Sequence, residues 1–431
     1  MFATKSFRYS GYVPAHKEAT AHCAITDMPL PDEVVIPLGR YGGRFCEPSV
    51  AVADKVSAGQ VIGRGLRLRA FCHASVAGEV VAVTQCIDAA GDIVPAVRIR
   101  VGEAGRSFSP APAKVPAAMS AEELLEVLVH AGVQENDAAG NSLYTRIAEA
   151  VNSKIGRIVV NGIESEPCLT AHSRSLLERS ALLIYGVRGM LKLTGAAKCV
   201  LALPKGAHRA IALYTCLLAD EPAIRVVTHD ANYPRGGHSD LARLEKGGAL
   251  VLNPDTVVAY GDALVSGRPV LDCVISVSGE LVGRPGNYRV AIGTPLSHVL
   301  EQCEVSADAQ SIVVWGGPMR GIALRRLDVP IVPSCHGIVV LSGADALRKV
   351  RTFTDCVNCT TCVEHCPQTL YPHRLSQAAE KGRLDAASRL HISDCEECGM
   401  CSYVCPAHRP VTQMIRACKA GLRDLKAGEG R

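Results

Sequence analysis

Eight cysteines between Cys356 and Cys405 constrain this chain more than anything else in it. They form two runs, Cys356-Val-Asn-Cys359-Thr-Thr-Cys362-Val-Glu-His-Cys366-Pro367 and Cys395-Glu-Glu-Cys398-Gly-Met-Cys401-Ser-Tyr-Val-Cys405-Pro406, each reading C-x2-C-x2-C-x3-C-P. Three closely spaced thiolates grip three irons of a cubane while the fourth cysteine of each run reaches the other one, so the spacing predicts two [4Fe-4S] clusters. The expected sets are Cys356, Cys359, Cys362 and Cys405 for one cluster, and Cys395, Cys398, Cys401 and Cys366 for the other. A pair of tetrahedral zinc sites is the alternative. Zinc modules use paired C-x2-C knuckles, whereas here a third cysteine and then a Cys-Pro follow, twice over. Clusters held close together suit serial transfer of single electrons.

The remaining eleven of nineteen cysteines are scattered singly and read as small buried apolar residues. Such a cysteine usage, with no apolar core to a leader in Met1 to Thr20, is expected of a reducing, cytoplasmic setting. The apolar stretch around Leu182 to Leu193 is interrupted by Arg188 and Lys192 and is too short to span a bilayer, so any membrane association is expected to come through partners. A net charge of +4 with scattered Lys and Arg argues against nucleic acid. At 431 residues the chain has room for several cores.

Four segments are expected. Residues 1–106 carry short strands (Glu33 to Ile36, Gln60 to Ile62, Gly78 to Val83, Val94 to Val101) between glycine turns, which fits a small barrel or sandwich. After a Pro/Ala-rich linker, Ser107 to Ala118, Ser120-Ala-Glu-Glu opens a helix, and residues 119–252 alternate strand and helix as a parallel sheet does. The expected elements are a strand from Arg157, one helix over His172 to Thr194, a strand at Cys199 to Leu203, a helix over Ala207 to Ala219 and a strand at Ile224. Residues 253–343 turn to short β segments: Thr256 to Val258, Val270 to Val277, Ser311 to Trp315 and Gly337 to Leu341. Residues 344–431 are helical around the cysteines, with one helix over Leu375 to Leu390.

Val52 to Gly63 followed by His73-Ala-Ser-Val-Ala-Gly78 resembles the biotinyl/lipoyl-type barrel-sandwich fold, without a Lys at the matching hairpin tip. Together with Ile36-Pro-Leu, Gly42-Gly43, Val160-Asn-Gly-Ile-Glu-Ser-Glu-Pro167, Tyr233-Pro-Arg-Gly-Gly237, Gly316-Gly-Pro-Met319 and both cysteine runs, the whole chain resembles the C subunit of the Rnf ion-translocating electron-transport complex, itself similar to the flavin-bearing NADH-oxidising subunit of respiratory complex I. The resemblance implies, in order, a barrel-sandwich module, a Rossmann-like flavoprotein-like α/β domain, a β-grasp (SLBB-like) domain and a two-cluster ferredoxin domain. It implies a subunit of an oxidoreductase or translocase, peripheral on the inner face of the cell membrane, passing electrons between a soluble carrier such as ferredoxin or NADH and membrane subunits. For the isolated chain, electron transfer alone is the expectation. FMN and NAD(H) are the further cofactors it implies, with Asn161, Glu164 and Glu166 as the remnant of the flavin pocket.

Three departures bear on that pocket. The family's G-x-G-G-A-G-F-P loop is replaced by Ala131 to Leu143, where Gln134, Glu135 and Asp137 are expected to obstruct and repel a flavin phosphate. His238 stands for a family Glu, and His172 for an acidic residue. These favour an electron-transfer adaptor over a flavin-dependent NADH oxidiser; a soluble corrinoid reductase is the third reading. Cys72-His73 and Cys335-His336 are expected to be structural, since neighbours on a strand point to opposite faces. His172 and His238 are expected to be solvated or hydrogen-bonded, and Trp315 to be core.

Overall fold

A computed structural model describes residues 13–41, 44–65, 70–135, 142–237, 240–241, 248–306, 311–343 and 353–429. Gly42, Gly43, Asp137 and His238, all singled out above, lie outside the described residues.

The first domain is two facing antiparallel sheets. One has the order Glu33–Pro37, Ile93–Val101, Gly78–Ile87, Lys55–Val56, and the other Glu47–Pro48, Val61–Gly65, Ala70–His73. Alternation places Val34 and Ile36, with Ile62, Val80, Val97 and Ile99, between them. Gly78 is required where the two longest strands approach closely at the start of one of them: a Cβ there would lie 2.0 Å from the Arg100 carbonyl oxygen.

Ser120 caps helix α1 (Ala121–His130) with a reciprocal capping box to Glu123. The parallel sheet beyond it has the order Ile224–His229, Lys198–Pro204, Arg157–Asn161, Leu250–Leu252. Around it lie α2 (Leu143–Asn152), α3 (Ala171–Glu178), α4 (Ser180–Thr194) and α5 (His208–Leu217). The single helix expected from His172 to Thr194 is two helices, because Arg179 leaves helical geometry (φ −119°, ψ 27°) and turns its guanidinium toward Asp262, 3.7 Å away.

Thr256 to Val258 is not a strand. It lies in α6 (Pro254–Ser266), which starts with proline at its first position and ends at Gly267 in the left-handed region, φ 69°. These end signals outweigh the β-branched trio. Helix α6 crosses α4 at two glycines: a Cβ on Gly186 would lie 2.1 Å from Val257 O, and one on Gly261 2.0 Å from Leu182 O. The crossing builds the main core, with Tyr260, Leu264, Met190 and Val187 buried.

The third domain is a mixed six-stranded sheet, Ile25–Asp27, Gly286–Ala291, Asp272–Ser278, Gly337–Leu341, Ile312–Trp315, Ile322–Ala323, packed against α7 (Leu296–Gln302). Its edge strand comes from far earlier in the chain, Ile25 pairing in parallel with Asn287.

In the fourth domain the helix expected over Leu375 to Leu390 is again two, α8 (Pro372–Glu380) and α9 (Leu384–Arg389), turned at Gly382 (φ 61°). The long α10 (Val411–Glu429) packs across them through Val411, Ile415 and Cys418. Among the described residues no helix is long and apolar enough to cross a membrane.

Candidate functional site

Each cysteine run folds the same way. The third residue (Asn358, φ 53°; Glu397, φ 53°), the fifth (Thr360, φ 61°; Gly399, φ 78°) and the third after the last cysteine (Thr369, φ 53°; His408, φ 52°) take left-handed backbone. Five of these six are not glycine, so the conformation is held against its intrinsic cost at matching places. Such successive turns aim amide N–H groups inward and form a concavity for an anion.

The cysteines gather across the runs. One small cavity is lined by Cys356, Cys359, Cys362 and Cys405, and a second by Cys395, Cys398, Cys401 and Cys366. Burial pushes the Cys398 thiol up to about 11 and Cys401 up to about 12, so protons alone would leave them neutral. A multivalent iron centre supplies the positive charge that makes such thiols thiolates, and the donor set fits it. Cys359, at the surface, is held below its ordinary value by the Thr361 hydroxyl, 3.4 Å from its sulfur.

A cavity of about 1120 Å³ opens beside the second set, lined by all three residues of the expected pocket remnant and by Cys395, Glu396 and Glu397. Asn161 is already used: its amide nitrogen donates to Gly236 O (2.9 Å) and its oxygen accepts from Ile163 N (3.1 Å). Glu164 accepts from the His172 and Ser173 amides at the start of α3 (3.1 and 3.0 Å). Burial works against its charge, but Lys17 and His172 hold its carboxyl below the usual range. Glu166 accepts from the Met319 and Arg320 amides (2.8 and 3.0 Å) through Oε1, while Oε2 is buried without a partner. Burial pushes its carboxyl up. Gly317 permits this approach, since a Cβ there would sit 2.2 Å from Glu166 Cγ.

Sequence reasoning missed the cations of this cavity, Arg146, Arg320, Arg416 and Arg423. Arg320 directly follows the Gly-Gly-Pro-Met segment, the one signal that would have found it. Glu135 does not repel a ligand here as expected. It turns inward, pairs with Arg146 Nη1 at 2.9 Å, accepts from Asn253 N and Thr256 Oγ1, and faces a different cavity. Trp315 is 8% exposed, packs in the third domain's core and forms part of the large cavity's wall. The cavity's size, its arginines and the orphaned Glu166 oxygen fit a flavin nucleotide.

His172 is neither solvated nor isolated: its Nε2 lies 3.1 Å from Asp255 Oδ2 and 3.1 Å from His336 Nδ1. Burial opposes its charge, yet Asp255 and Glu164 push it up to about 9, whereas burial and His172 push His336 down to about 4. Cys335 points elsewhere, into the third domain's core. His73 is buried in the wall of the cavity that His336 also lines, and burial depresses it to about 4.

Four family models match in order: the RnfC barrel sandwich hybrid domain (residues 5–103), the Nuo51 FMN-binding domain (128–258), the SLBB domain (274–323) and the 4Fe-4S dicluster domain (348–406). Among curated proteins, the C subunit of the ion-translocating oxidoreductase complex of Cronobacter sakazakii is 30% identical over 97% of this chain and 55% of its own length. The Salmonella arizonae protein of the same description is 28% identical over 97% and 64%. The chain thus spans little more than half the length of these relatives. A solved NAD+-reducing [NiFe]-hydrogenase aligns with a TM-score of 0.48 at 16% identity, over 74% of this chain and 67% of that one.

Proposed function

We propose that this chain, similar over 97% of its length to the C subunit of an ion-translocating oxidoreductase complex, passes single electrons through two [4Fe-4S] clusters between a soluble carrier and membrane subunits. The observation that carries this is the crossed gathering of eight cysteines into two sets of four. In this reading Cys356, Cys359, Cys362 and Cys405 hold one cluster and Cys395, Cys398, Cys401 and Cys366 the other. The chain sits peripherally on the inner face of the membrane, and ferredoxin or NADH supplies or takes the electrons.

The cavity beside the second set favours a second form of the same function. Here Glu166, Arg146, Arg320 and Arg416 would hold FMN, whose chemistry exchanges a nicotinamide's electron pair for single electrons. What the chain's own residues do is bind and orient: the arginines offer positive charge, and Glu166 offers an acceptor fixed by two backbone amides.

Quantifying iron, acid-labile sulfide and released flavin per chain on one anaerobic preparation tests both forms. About eight irons and eight sulfides without flavin support the adaptor, and the same with one flavin supports the second form. Cysteine-bound zinc with no sulfide overturns both.

A further inference from the structure

Outside the cysteine runs, one group of three metal-ligating side chains stands out among the described residues. His172 comes from the first turn of α3, Asp255 from the first turn of α6, and His336 from the residue before the strand Gly337–Leu341. One ligand atom from each lies within 4.8 Å of the other two. His172 and His336 line the large cavity, while Asp255 and His336 line a second cavity of about 460 Å³, so the group stands in the wall between them.

Hydrogen bonding alone accounts poorly for this arrangement. Neutral or charged, an imidazole nitrogen carries one proton or one lone pair, yet His172 Nε2 sits 3.1 Å from both a carboxylate oxygen and a second ring nitrogen. A single N–H cannot point straight at both. Atoms bound at roughly 2.1 Å to one cation at the tetrahedral angle are separated by about 3.4 Å, so both 3.1 Å pairs lie within a few tenths of an ångström of the spacing of two ligand atoms. Asp255 also leaves Oδ1 buried with no hydrogen-bond partner. The backbone holds two of the three in place: the His172 amide donates to Glu164, and His336 O accepts from Ser276 N at 3.1 Å.

We propose that His172, Asp255 and His336 form a mononuclear site for a borderline first-row divalent cation, with zinc as its type. Two imidazoles and one carboxylate select such an ion over magnesium or calcium. Three protein ligands leave a coordination position open, as in sites where the metal meets a small ligand, and here it would be reached from the cavities. The cation adds a fixed positive centre to a cavity that Arg146, Arg320 and Arg416 already line.

The test uses the full chain, purified anaerobically with its clusters and titrated with Zn2+ against a chromophoric chelator. The expected result is one zinc per chain, weakened at least tenfold in both Asp255→Asn and His336→Gln, with iron and sulfide content unchanged. Unchanged iron and sulfide show that the variants are folded. Zinc K-edge absorption of the loaded wild type needs no variant, does not see the iron, and is expected to show a first shell of nitrogen and oxygen alone. No zinc bound more tightly by wild type than by the variants overturns the proposal, as does a sulfur-containing shell, which assigns the zinc to cysteines.

Discussion

Buried ionisable side chains are where single residues decide the behaviour of this protein. Glu135 and Arg146 are 5% and 9% exposed and pair directly. Glu135→Ala would leave an arginine uncompensated in the wall of the large cavity, and the expected cost is about 3–5 kcal/mol, read from the chemical denaturation midpoint. His73 gives a pH signature. Burial depresses its folded value to about 4, so the unfolded chain takes up a proton first as pH falls. Its contribution is therefore complete above about pH 6.5 and lost progressively toward pH 4, amounting to about 3 kcal/mol. His73→Gln should flatten the dependence of stability on pH across that window by one proton. For the clusters, Cys359→Ala and Cys398→Ala should each remove about four of eight irons, from different clusters, as low-temperature EPR of the reduced protein would distinguish. The eight cysteines were legible because their chemistry imposes a local spacing. His172 and His336 lie 164 positions apart, and no periodicity ties them to each other or to Asp255; only the folded chain brings them together.

At the scale of elements, the strands of the first domain and the parallel sheet of the second were readable from alternation and from βα order. The errors fell where pattern and punctuation disagree. Thr256 to Val258 looks like a strand by side chain, but Pro254 and Gly267 bound a helix. Leu375 to Leu390 keeps a helical period across Gly382, which turns the chain all the same. The crossing of α4 and α6 makes a sharper prediction. Gly261→Ala places a methyl 2.0 Å from a backbone oxygen, which no rotamer relieves. The helices must separate, at a cost of at least the ~1–3 kcal/mol of overpacking, seen as a lowered melting temperature. Alanine is the better helix former, so stabilisation by this change would refute the close crossing.

Across the whole molecule, arginines fasten the fourth domain to the third. Arg416 of α10 reaches Gly321 O (2.8 Å) and Arg320 O (2.6 Å) and pairs with Glu397 at 2.8 Å, while Tyr233 of the second domain donates to Cys398 O. Arg416→Ala should speed amide hydrogen exchange in α10 and around Gly316 to Gly321 while iron content stays at about eight. Sequence alone offered no access to this joint, since a lone arginine in a helix carries no mark of the loop it will hold.

Cys395 of the second set lines the open cavity together with Glu396 and Glu397, with Arg320 and Arg416 beside them. That shared wall makes the two sites partners in a thermodynamic cycle. Whatever occupies the cavity and prefers one oxidation state of the adjacent cluster must shift that cluster's midpoint potential by the same free energy. A tenfold preference for the reduced state corresponds to about 59 mV for one electron. Occupancy of the cavity would in this way set how readily electrons leave the chain.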